Sequence, residues 1–201
     1  MRAIVCTFVG TTAVLATAGA AQAQASDAPR FYANLAVEFV GLEDFDVGGG
    51  DLFPDTTTAV SVRGGAVVTS WLAVEGEYAQ GVDNNEDDGI AGYDDRLAGF
   101  VRARYAFDQD NPMRGGEVFA RLGYGTTDIV GQAVGGEDTR DFEESLDGVA
   151  FGVGTAYTFG ERGHLQLRLD FTRFTYGSSQ NLVTGDDLNS NVLALGVGYQ
   201  F

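Results

Sequence analysis

Apolar and polar residues alternate with a period of two in eight segments, at Phe31–Gly41, Thr58–Val68, Leu72–Ala79, Arg96–Phe107, Glu117–Thr126, Gly148–Phe159, His164–Tyr176 and Asn191–Phe201. That period belongs to a strand whose two faces meet different surroundings, so the pattern predicts eight β-strands. The connections between them alternate in length: about 16 residues, then three, 16, nine, 21, four and 14. Such alternation suits an up-and-down antiparallel sheet with tight turns at one end and long loops at the other. After residue 25 no apolar run is long enough for a membrane-spanning helix, whereas tilted strands of about ten residues cross a bilayer. The predicted fold is all-β, an eight-stranded antiparallel up-and-down transmembrane β-barrel.

The apolar phase of each strand is free of charge over the positions taken to face lipid, Leu165, Leu167, Leu169 and Phe171 on the seventh. It runs Phe31, Ala33, Leu35, Val37, Phe39 on the first strand and Leu193, Leu195, Val197, Tyr199, Phe201 on the last. A lipid-facing belt requires this, because an arginine near the bilayer midplane costs ~2–4 kcal/mol. With the N-terminus on the periplasmic side, the outward aromatics fall into two girdles. Phe31, Tyr105, Phe107, Tyr157, Phe159, Tyr199, Phe201 and Trp71 lie at one interface; Phe39, Tyr78, Tyr124, Phe151 and Phe171 lie at the other. The opposite phase carries Glu38, Arg63, Glu75, Glu77, Arg102, Arg104, Glu117, Arg121, Arg168 and Asp170, five of each sign. These ten are the candidate site, a lumen charge network that is neutral in sum. Ala150, Gly152, Gly154, Ala156, Ala194, Gly196 and Gly198 face them and leave room for long arginines. An eight-stranded barrel is just wide enough for side chains to fill, which favours a plugged interior over a pore.

Charge narrows the partners. All 12 basic residues are arginine and stand against 29 acids, a formal charge of −17 that excludes nucleic acid as a partner. Twenty of the acids fall in the four long connections, so one end of the barrel is an acidic crown. Arg2, the uncharged stretch from Ala3 to Ala18 and the small residues ending at Ala23 or Ala25 have the layout of an export signal. The expected organisation is a cleaved signal over residues 1–25 and a barrel domain over residues 26–201. The lone Cys6 would leave with the signal, so neither a disulfide nor a thiolate metal site is expected.

Catalytic chemistry finds little support. A hydrolytic triad needs a histidine beside a serine and a carboxylate, and the single histidine, His164, opens the seventh strand beside a short connection, away from the long ones. Asp83, Asn85 and Asp87 suggest a calcium loop, but the glycine comes one residue late and the closing glutamate is missing. No catalytic, cofactor or metal residue is therefore assigned, and no cofactor is expected. Weak divalent bridges from the acidic loops to lipopolysaccharide stay open.

The terminal strand NVLALGVGYQF, with VVTSWLAVEGEY, FARLGYGT and GVAFGVGTAYTF, resembles the small eight-stranded outer-membrane barrels of OmpA/OmpX type, also called porin family proteins. The resemblance covers the whole mature chain. It implies the outer membrane of a Gram-negative cell envelope and a monomer in contact with outer-membrane lipid and lipopolysaccharide. It also implies that Leu193, Leu195, Val197, Tyr199 and Phe201 are the signal read by the barrel-assembly machinery. Activity is less constrained. A non-enzymatic structural or adhesin-like surface protein, with an unidentified surface ligand, is the first reading. A small porin-like diffusion channel is the alternative, and a lipid A-modifying enzyme comes third.

Overall fold

In a computed structural model of the protein the described residues are 30–43, 56–82, 92–108, 115–135, 138–159, 164–177 and 188–201. The expected signal over residues 1–25 and the stretch Asp83–Gly89 lie outside them. Eight strands follow one another: β1 (Arg30–Glu43), β2 (Thr57–Val67), β3 (Leu72–Gly81), β4 (Gly92–Ala106), β5 (Gly115–Gly135), β6 (Asp138–Phe159), β7 (Leu165–Tyr176) and β8 (Leu188–Gln200). Each pairs antiparallel with the next, and β8 pairs with β1 to close the barrel. Closure removes the free edges that a lipid environment cannot satisfy.

The register fixes the width. Following paired residues from Ala33 through Gly64, Gly76, Gly99, Tyr124, Val149, Thr175 and Asn189 returns to β1 at Glu43, ten residues further along. This stagger tilts the strands and leaves an interior that side chains can fill. At the end bearing the short connections, the near end, the β2–β3 turn is tight, with Val68 N–H donating to Leu72 C=O at 2.9 Å, and Phe201 N–H donates to Phe31 C=O at 2.9 Å across the closing seam. Gly115 opens β5 with φ of +80°, a left-handed conformation that favours glycine.

Alternation sorts the side chains. The outward aromatics are exposed from Phe39 to Phe201, and Phe31 is half-buried. Inside, glycines stand where long side chains cross. A Cβ on Gly152 would meet Thr172 Oγ1 at 2.6 Å and Arg121 Cγ at 3.0 Å, and one on Gly154 would meet Asp170 Cβ at 2.6 Å.

The structure differs from the sequence pattern at the end bearing the long connections, here the outer end. Residues 127–135 and 138–147, expected in a loop, continue the β5–β6 pair out to Gly135↔Asp138. Asp94 and Asp95, also expected in a loop, lie on β4, which begins at Gly92 and carries a register irregularity between Tyr93 and Asp95. Apolar periodicity stops where the lipid stops, whereas backbone pairing continues into water.

Candidate functional site

The ten inward charges assigned from the alternation are all buried, and an eleventh, Arg96, joins them. Expected as the first residue of its strand, Arg96 instead stands four residues inside β4 and is fully buried. The interior sum is thus not neutral: among the described residues six arginines meet five carboxylates.

The ion pairs form one chain along the barrel. Arg96 Nη2 reaches Glu38 Oε2 at 2.6 Å and Glu77 Oε1 at 2.7 Å. Arg63 bridges Glu38, Glu77 and Asp170 at 2.7–2.8 Å. Arg121 bridges Glu75, Glu77 and Asp170 at 2.8–3.0 Å. Arg168 Nε donates to Asp170 Oδ2 at 2.9 Å, and its guanidinium also holds Glu75. Towards the near end Arg102 lies 3.8 Å from Glu75 and pairs with Glu117, which Arg104 shares. Glu75, Glu77 and Asp170 therefore meet three arginines each. Buried charges need this degree of pairing, since any one left alone carries a desolvation cost of several kcal/mol.

Inward aromatics complete the filling, and the sequence reading did not assign them. Arg121 lies over Phe100 at 4.2 Å, Arg96 over Phe174 at 4.4 Å, and Phe119 takes Arg102 at 4.2 Å and Arg168 at 4.5 Å. Tyr32 donates its hydroxyl to Glu75 at 2.7 Å. The stacked guanidiniums keep favourable contact on faces that make no hydrogen bonds. Tyr93, Ile129, Leu146, Phe174, Tyr176, Val40 and Val192 form an apolar cluster inside the outer half of the barrel. The inward phase of the expected strands was the available signal for Tyr32, Phe100, Phe119, Phe174 and Tyr176, whereas Tyr93 fell in an expected loop.

Other sequence candidates lie apart. His164, at the near end, approaches Gln200 O through Nδ1 at 2.8 Å and stacks on Tyr199 at 5.2 Å. Leu193, Leu195, Val197, Tyr199 and Phe201 are exposed on the outer wall, with β8 joined to β1 and β7. Beyond the apolar belt an outward polar collar begins. Tyr78 donates to Asp95 at 3.3 Å, Thr126 to Asp147 at 2.6 Å and Ser145 to Asp128. Burial, then the carboxylates of Asp128 and Asp94, hold Asp95 above the usual carboxylate range. Among the described residues no group of histidine, cysteine and carboxylates is placed to hold a metal ion.

A family model described as outer membrane protein beta-barrel domain matches residues 11–201. No curated protein matches the sequence. Among solved structures, Neisserial surface protein A is 13% identical with a TM-score of 0.60, covering 85% of this chain and 97% of that one. A major outer membrane protein from Thermus thermophilus is 14% identical with a TM-score of 0.55, covering 87% and 100%. Ail of Yersinia pestis, in complex with the heparin analogue sucrose octasulfate, is 15% identical with a TM-score of 0.52, covering 86% and 97%. At these identities the likeness is one of fold.

Proposed function

The chain belongs to the outer membrane protein β-barrel domain family, and from that premise we propose that it is a non-enzymatic surface protein of the outer membrane, with a barrel that does not conduct and acidic outer segments that make structural or adhesive contacts. The filled interior carries this reading. Arg63, Arg96, Arg121 and Arg168 are at most 1% exposed, and each is clasped by two or more carboxylate contacts across the barrel axis. A water path would leave such groups partly accessible. The placement of His164 against Gln200 and Tyr199 supports a non-enzymatic reading, because its ring is engaged at the near end.

The ligand class follows from charge. Sucrose octasulfate, held by Ail, is a polyanion. Twenty acids in the outer connections and strand extensions of this chain repel polyanions and favour cationic partners, or divalent bridges to lipopolysaccharide. The exposed terminal strand, ending at Phe201, is the segment we assign to recognition by the barrel-assembly machinery. Planar-bilayer recording of the refolded monomer tests the non-conducting barrel: a silent bilayer supports it, and reproducible unitary steps would replace it with a small diffusion channel.

A further inference from the structure

The apolar wall is not evenly filled. A trough of about 760 Å³ crosses it from β4 to β8. Its path follows one register row, Ala103↔Ala120↔Val153↔Phe171↔Leu193, and the next pair, Leu193↔Phe39, brings its upper end to the outer girdle. The lower end borders Tyr105 of the near girdle. Ala103 and Ala120, directly opposite one another, leave the floor low between larger neighbours. Four strand spacings of ~4.8 Å, about 19 Å in all, separate Ala103 from Leu193, which is the reach of one extended acyl chain. Polar groups turn away from this path. Thr155 donates its hydroxyl to Glu117 C=O at 2.9 Å, and Arg104 and Asp170, which also border the trough, spend their charges on partners inside the barrel.

A cation marks the upper end. Among the described residues on the outward phase of the strands, Arg173 is the one basic side chain; it is exposed and stands two residues beyond Phe171. It lies opposite Phe151 of the outer girdle on β6 and opposite Asn191 on β8, to whose Oδ1 it donates at 3.4 Å. Aromatic girdles sit at the level of lipid headgroups, so this guanidinium stands at the depth of their phosphates. Its planar fork suits a phosphate better than any other anionic headgroup. A formal charge of −17 repels anionic headgroups from most of the surface, and the lone outward cation therefore fixes where one approaches. We propose that the trough and Arg173 form one site for a phosphate-bearing lipid of the leaflet at the outer end, with an acyl chain along Ala103, Ala120 and Val153 and a phosphate on Arg173 and Asn191. This rests on the outer-membrane reading above and names a partner within it.

The test uses the full chain refolded in detergent micelles, with native mass spectrometry counting bound lipid as phosphorylated lipid A or its dephosphorylated form is titrated. A saturable single lipid A adduct is expected, with the dephosphorylated form bound about tenfold more weakly. Arg173→Gln should cause the same loss for lipid A and add nothing to the effect of dephosphorylation, and Arg173→Lys should restore part of it. Ala120→Phe fills the trough without entering the interior and should weaken both forms about tenfold, whereas Leu122→Phe, the next outward position and outside the trough, should change neither. Heat-modifiable gel mobility should stay unchanged in every variant. Equal binding of lipid A by Arg173→Gln would overturn the phosphate contact, and equal binding by Ala120→Phe would overturn the trough as part of the site. Dimers that Ala120→Phe disperses would assign the trough to a second copy instead. A chain that folds without detergent would reject the membrane reading itself, and conductance is independent of lipid retention, so failure here and failure of the reading above are separable.

Discussion

Arg121 and Arg104 share one interior and should differ in what they contribute. Arg121 compensates Glu75, Glu77 and Asp170 at once. Its replacement by alanine takes one of three arginines from each of these buried carboxylates at once, which costs ~3–5 kcal/mol. Arg104 pairs with Glu117, which keeps Arg102, so its removal touches one carboxylate where that of Arg121 touches three. Arg104→Ala should therefore cost no more than ~1–2 kcal/mol. Urea unfolding of both variants in lipid vesicles measures the contrast, and equal losses would mean that Glu117 depends on Arg104. Packing gives a second contrast. Gly154→Ala would press a methyl onto Asp170 Cβ and Leu169 O, whereas the space beside Gly76 is open to 4 Å. The first should lose ~1–3 kcal/mol and the second almost nothing in the same assay. Alternation made the ten inward charges legible because strand phase assigns each side chain a face. It missed Arg96 because that residue was read as a boundary, and missed Phe100, Phe119 and Phe174 because apolar side chains were sought on the lipid face alone.

The eight strands and their order were legible for the same reason, since lipid imposes an apolar face on every crossing. The outer extensions of β5 and β6 were not. There Asp128, Ser145 and Asp147 occupy the outward phase, and a solvated strand leaves no apolar stripe. Asp95 and Asp128 stand directly opposite across β4 and β5. The folded strand pair raises the carboxyl of Asp95 above its usual range, chiefly by burial and then by Asp128 and Asp94. A carboxyl with a raised folded pKa holds more protons folded than unfolded, so its contribution is unfavourable at neutral pH and relieved as pH falls through the raised value. Hydrogen-exchange protection factors of the outer β4 and β5 amides should therefore be higher near the ordinary aspartate value of about 4 than near pH 7, with a smaller difference in Asp95→Asn. Protection that falls with acidification in the native chain would contradict the cross-strand repulsion.

At the scale of the whole molecule the barrel separates charge by location. The exterior between the girdles is uncharged, the interior holds six arginines and five carboxylates among the described residues, and the remaining acids gather mainly at the outer end. A membrane protein with this distribution is anchored by its wall and carries most of its acids at the end bearing the long connections. Whether side chains or water fill the axis is read most directly by single-channel recording of the native chain beside an Arg63→Ala/Arg121→Ala variant that thins the crossing residues. The native protein should be silent and the refolded variant should pass ions. Unitary steps in the native protein, at the same conductance as in the variant, would contradict a sealed barrel.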